Sequence, residues 1–239
     1  MKTIRYTIAP VIFEKVPGYV RAVVVVRGAD NTKAVPAVQT ALRETESCLA
    51  ARFTLESLLA EPRIAAWRDA FKLFSMNPSE FRPAHEALAR RAVQAKPLPF
   101  INTLVDIGNS LSLAKLMPIG VHPIENVTGD LSLGTALGME TFVPFGSTKS
   151  EHPKPSEVIF TDAVNVHARA WVWRQAQCSV TLPTTRNVVV HVDVLPPLDM
   201  SAAKTTCEEA AQRITAACGG TAEIHFLSAS NRSVDITTT

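Results

Sequence analysis

Apolar and polar positions alternate at the start of the chain, where Ile4, Tyr6 and Ile8 are separated by polar neighbours, and this period of two predicts a half-buried strand. A second strand is predicted over Tyr19 to Arg27, a β-branched run closed by Gly28 and Asp30-Asn31, with Pro17-Gly18 as the turn joining the pair. From Val35 the period becomes helical: Val38, Leu42, Cys48 or Leu49 and Phe53 share one face, opposite Arg43, Glu44 and Glu46. Pro62 ends one helical piece and starts the next, whose apolar face is Ile64, Trp67, Phe71 and Phe74. Asn77-Pro78 breaks that helix, and another follows Pro83, carrying Glu86, Arg90 and Arg91 with Leu88 and Val93 facing inward, until the run Lys96 to Pro99 stops it.

Phe100 to Met117 is an apolar helical stretch whose spacing places Asn102, Asp106 and Asn109 on one stripe. Burying that stripe unpaired would be costly, so it needs partners. Pro118 to Phe145, punctuated by Gly and Pro, predicts hairpins and loops, and Ser147 to Ser156 a flexible loop. Strands are predicted over Val158 to Thr161, Val164 to Trp173 and Val188 to Val194, then a helix from Ser201 to Cys218 closed by Gly219-Gly220, then a strand over Glu223 to Leu227. The irregular order of helices and strands predicts an α+β fold and argues against a doubly wound nucleotide fold.

The chain has 239 residues, 46% of them apolar and 19% charged, enough for a full core. Its 24 Lys and Arg against 22 Asp and Glu give a net charge of +2, so any RNA site must be a local patch. Cys48, Cys178, Cys207 and Cys218 form no CxxC pair and have no His at ligand spacing, which predicts reduced thiols and neither a metal nor a disulfide framework. The longest apolar run, Val20 to Val26 with Arg21 inside it, is too short to span a bilayer. No leader is read at the start, and a cytoplasmic protein without a membrane partner is expected. The chain carries no GxxxxGK or GxGxxG loop, which argues against an ATP-driven synthetase and for no cofactor.

Four constellations could carry chemistry. Arg82, Arg90, Arg91 and Lys96 could hold phosphates or be a solvated helix face. Asn102, Asp106, Asn109 and Ser112 could line a polar pocket or tie their helix to loops. Pro118 to Pro123 places His122 on a turn-rich loop, as a functional imidazole or a structural one. Arg169, Trp171 and Trp173 fall on one face of a predicted strand, followed by Arg174 and Gln175, and could stack a base or be core tryptophans edged by arginine. No Ser-His-Asp or Cys-His pair stands out, and Cys178 has no nameable base.

The runs Asn77 to Arg91, Leu98 to Asn109 and Met117 to Gly120, then Ser156 to Asp162, Arg169 to Gln175 and Thr184 to Asn187, resemble the tRNA-binding B3/B4 domain of the phenylalanyl-tRNA synthetase beta subunit, and more closely the freestanding bacterial proteins built from that domain alone. The resemblance implies mixed sheets around a helix-lined cleft. It implies one unit with an N-terminal strand and helix region over 1–76, a B3/B4-like core over 77–197 and a C-terminal helix and strand over 198–239. It also implies a tRNA or aminoacyl-tRNA 3′ end as partner rather than DNA, and an ester-hydrolysing editing pocket, with a non-catalytic binding module for an amino acid, an aminoacyl-nucleotide or a protein as the other reading. On that resemblance His122, Arg174 and Gln175 are the catalytic candidates. Asn102, Asn109, Ser112, Gly120, Arg169, Trp171, Trp173 and Arg174 are the substrate or RNA contacts, and Arg82, Arg90 and Arg91 the phosphate contacts. Gly120 stands where the synthetase has its pocket histidine, and Arg174-Gln175-Ala176 replaces its Gly-Gly-Glu segment. The N-terminal helices could serve as an oligomer face or a lid.

Overall fold

A run of β-branched residues such as Val23 to Val26 tolerates burial on both faces only inside a layered structure, and the computed structural model, which describes residues 2–238, provides one. The strands are β1 (Lys2–Ile8), β2 (Val20–Arg27), β3 (Ile119–Pro123), β4 (Leu131–Thr135), β5 (Val158–Thr161), β6 (Val166–Arg169), β7 (Arg174–Gln175), β8 (Val188–Val194), β9 (Thr221–Leu227) and β10 (Ser233–Thr238). The helices are α1 (Pro10–Lys15), α2 (Pro36–Arg52), α3 (Leu55–Ala60), α4 (Pro62–Leu73), α5 (Ala84–Val93), α6 (Thr103–Lys115) and α7 (Met200–Cys218). No helix among the described residues is long and apolar enough to cross a membrane.

The fold is α+β with two sheets. One has the order β10-β1-β4-β5-β6-β7, antiparallel except for the parallel β1–β4 pair; the other is the antiparallel β3-β8-β2-β9. The period of two sorts the second sheet's side chains. Ala22, Val24 and Val26 of β2, with Val188, Val190, Val192 and Val194 of β8, pack against Leu104, Ile107 and Leu111 of α6 and Ala203, Cys207 and Ile214 of α7. On the opposite face Val23, Val25 and Val189 meet Ile4, Tyr6, Leu133 and Phe160 of the first sheet and the aromatic face of α4. Arg21 shares the register face of Val23, and His191 and Asp193 that of Val189, so all three are driven into the space between the sheets. A third cluster joins α2 to α6 through Leu42, Leu49, Ile64, Ala89 and Leu113.

Several expectations change. β1 and β2 are not a hairpin: α1, started by Pro10, separates them and sends them to different sheets. Residues 118–145 do not pair as hairpins either, because β3 and β4 also lie in different sheets. His122 is not on a loop but in β3, opposite Val189. The strand expected over 164–173 ends at Arg169, where Ala170 and Trp171 take φ of 46° and 60° and turn the chain into β7. Arg169, Trp171 and Trp173 therefore do not share a strand face. Glu86 of α5 is 0% exposed, enclosed by Arg68, Arg82 and Arg90.

Candidate functional site

The main cavity, about 340 Å³, opens where the β3 edge meets α5, α6 and the turn between β6 and β7. Such a volume is at the lower end of the roughly 300–1,000 Å³ range of small-molecule pockets. Its walls are mostly apolar, from Ala84, Leu88, Val105, Ile119 and Phe160, and its polar groups are Arg21, Asn109, His122, Arg174, Gln175 and His191. No carboxylate is among the lining residues.

Two glycines shape it. A Cβ on Gly108 of α6 would lie 2.9 Å from Val121 Cγ2, so the bare Cα lets the helix approach β3. A Cβ on Gly120 would lie 2.9 Å from His122 Nε2, so this position keeps the imidazole's cavity side clear.

The floor is a buried network. Arg21 binds Asp193 through two hydrogen bonds, Nε to Oδ1 at 2.7 Å and Nη2 to Oδ2 at 2.9 Å, with both side chains 2% exposed. Arg21 Nη1 donates to Tyr6 Oη at 2.8 Å, and Tyr6 Oη is 3.2 Å from His191 Nε2. Tyr19 donates its hydroxyl proton to Asp193 and receives the Trp171 indole N–H at 3.3 Å. Burial holds the Tyr6 and Tyr19 hydroxyls well above the usual phenol range. Burial also lowers His122 to about 3, helped by repulsion from His167 and Arg21, and it holds His191 well below the usual imidazole range, helped by Arg21, His122 and His167. Both rings are neutral and weak bases, which suits them to hydrogen bonding rather than proton abstraction.

At the rim, Arg174 lies over the Trp173 ring at 5.7 Å and has no carboxylate within 4.0 Å among the described residues. Trp173 packs edge-on to Phe81 at 4.9 Å. Gln175 Nε2 donates to Val121 O at 3.1 Å and to Ser179 O, and sits 3.3 Å from His122 Nδ1.

Of the residues singled out from sequence, the cavity gathers Asn109, Gly120, His122, Trp171, Trp173, Arg174 and Gln175. Trp171 enters only as floor: it is 1% exposed and surrounded by Tyr19, Trp67, Phe71 and Phe74. The remaining ones have other partners. Asn102 caps α6 by accepting from Val105 N and donates to Thr181 O, while Ser112 donates to Met117 O. Arg169 is held by Glu157 and Glu151. Arg82 and Arg90 flank Glu86 at 3.5 and 3.6 Å, with Arg68 on both of its oxygens at 3.0 Å, and Arg91 donates to Pro97 O. Sequence reasoning missed Arg21, His191 and Asp193 as site residues, although charge inside valine-rich strands was a visible signal.

No curated protein matches the chain. Among solved structures it is similar to an N-terminal fragment of the phenylalanyl-tRNA synthetase beta subunit from Pyrococcus horikoshii, at 11% identity and a TM-score of 0.48, over 91% of this chain and 49% of that one. The chain thus spans about half the length of that fragment. Residues 66–219 match the model of the B3/4 domain, which is more than half of the sequence, and the chain therefore belongs to the B3/4 domain family.

Proposed function

We propose that the cavity receives the aminoacylated 3′ end of a tRNA, with the amino-acid moiety inside and the terminal nucleotide at the Trp173–Arg174 rim. The observation that carries this reading is a guanidinium without a carboxylate partner, packed on an indole, at the mouth of an amino-acid-sized apolar cavity. Recognition of the ester-linked amino acid is supported better than a base-driven deacylase. The lining has no carboxylate, and both imidazoles are held far below their usual range. A trans-editing activity on this frame would act through an ordered water and oriented donors such as Gln175 and Arg174.

A second reading, a module for a small ligand alone, is favoured by one observation: Arg82 and Arg90 are already engaged by Glu86, so the basic patch offers less to a phosphate backbone than its count suggests. The test is binding and deacylation across a panel of correctly and wrongly charged tRNAs over a salt series, with Arg174→Ala alongside. Binding that falls with log-log slope of roughly −0.7 per phosphate contact, and that weakens in the variant without loss of folding, is expected. Salt-indifferent binding of free amino acid or aminoacyl-nucleotide, with no affinity for tRNA, refutes the first reading and establishes the second.

A further inference from the structure

The hydrogen-bond partners of the two cavity imidazoles fix which ring nitrogen of each carries the proton. Arg21 Nη1 can only donate, so Tyr6 Oη accepts from it at 2.8 Å and keeps its own proton to give away. The acceptor within reach is His191 Nε2 at 3.2 Å, and a buried hydroxyl left without an acceptor is costly. Nε2 of His191 is therefore bare. In a neutral ring the proton is then on Nδ1, which has no hydrogen-bond partner among the described residues and is not one of the fully enclosed orphan atoms.

The second ring follows by a separate route. The Gln175 amide nitrogen faces two carbonyl oxygens, those of Val121 and Ser179, which sets the amide with its NH2 toward them. His122 Nδ1 faces the same NH2 at 3.3 Å, and an N–H there would oppose donor to donor. The proton of His122 is thus on Nε2, the atom kept clear by the absent side chain of Gly120. The two rings are neighbours, with centroids 5.0 Å apart. Arg21, the cation beneath them, is matched by Asp193, so the floor offers two N–H donors without net charge.

We propose that His191 Nδ1–H and His122 Nε2–H together receive one uncharged carbonyl or ester oxygen of the ligand, and that Tyr6 and Gln175 are the positioning residues that set this donor pair. The inference rests on the aminoacyl reading of the cleft, in which Arg174 meets the nucleotide at the rim, and adds to it a preference at the floor: two neutral N–H donors above the balanced Arg21–Asp193 pair suit an ester or amide carbonyl better than a carboxylate.

The experiment is long-range 1H–15N NMR of the imidazole nitrogens in the full chain, free and titrated with an amide-linked phenylalanyl-adenosine. The free protein is expected to show His191 protonated at Nδ1 and His122 at Nε2. Tyr6→Phe is expected to shift His191 toward the other tautomer, a change that loss of stability alone does not produce. If that variant fails to fold, the tautomers of the unmodified chain still decide the matter. On titration both imidazole protons are expected to move downfield together. Reversed tautomers in the free protein, or saturable binding that leaves both imidazole protons unmoved, overturn the donor pair while leaving the functional reading intact. Absence of any binding overturns the functional reading, and the role given to the donors with it.

Discussion

The Arg21–Asp193 pair allows a quantitative check on how the cavity floor is held. Both side chains are 2% exposed and joined by two hydrogen bonds, so neither charge has water to fall back on. Arg21→Met leaves Asp193 with the Tyr19 hydroxyl alone, and Asp193→Leu leaves the guanidinium with the Tyr6 hydroxyl alone. Removing one partner of such a pair costs about 3–5 kcal/mol. For a chain of this length each kcal/mol moves Tm by about 2–4 °C, so either single variant is expected to melt about 6–20 °C lower. The double variant removes both charges and avoids the uncompensated one. It still strands the Tyr19 proton, at a cost of about 1–3 kcal/mol, whereas Tyr6 keeps His191 as an acceptor. The double is therefore expected to be more stable than either single, with a coupling of at least about 3 kcal/mol in the cycle. Urea denaturation followed by tryptophan fluorescence measures this, since Trp171 and Trp67 lie in the adjoining aromatic cluster. Additive losses, with the double at the sum of the singles, refute the claim that mutual charge compensation holds the floor.

Gly120→Ala is expected to cost about 1–3 kcal/mol and at least tenfold in ligand affinity, because the added carbon meets the His122 ring at 2.9 Å; unchanged affinity in calorimetry contradicts the geometry. His85 and His122 are lowered from 6.5 to about 3, so between those pH values the unfolded chain binds protons that the native one refuses, and stability is expected to fall with falling pH by about 1.4 kcal/mol per unit for each group. Denaturation midpoints from pH 7 to 4 check the sign, and flat stability would place these rings in water. Asp106→Ala is expected to lower stability by about 1–3 kcal/mol through loss of the Ile101 N–H bond at 2.9 Å while leaving ligand affinity unchanged, so a stable variant that no longer binds would bring Asp106 into the site.

Local patterns that carry their own period were legible in the sequence. The apolar face Ile64, Trp67, Phe71 and Phe74 is buried as its spacing requires, Pro62 starts α4, and Gly219 follows α7 directly. What escaped lacks such a signal. α1 is a single short piece, too brief for a 3.6-residue period to be distinguished from the strand alternation before it. β10 is rich in Ser and Thr and owes its place to pairing with β1, at the opposite end of the chain. The turn at Ala170-Trp171 takes positive φ at residues with a Cβ, where neither Gly nor Asn marks it; it is held instead by the aromatic cage around Trp171.

The site divides along the same line. Glu86 has Arg82 four residues before it and Arg90 four after, so one helix face that reads as a run of positive charge also contains its own counter-charge. That spacing was available without a structure and weakens the phosphate reading of this face. Arg21, His191 and Asp193 were visible as polar residues inside valine-rich strands, but their meaning depends on register. Only the pairing of β2 with β8, which sets Arg21 opposite Asp193 and Val23 opposite His191, converts isolated anomalies into one network. A charge in a strand buried on both faces persists only where a partner meets it at hydrogen-bonding distance, so such a residue already announces a second, distant one of opposite sign. In this chain Asp193 of β8 answers Arg21 of β2, and His122 and His191 line the cavity above that pair.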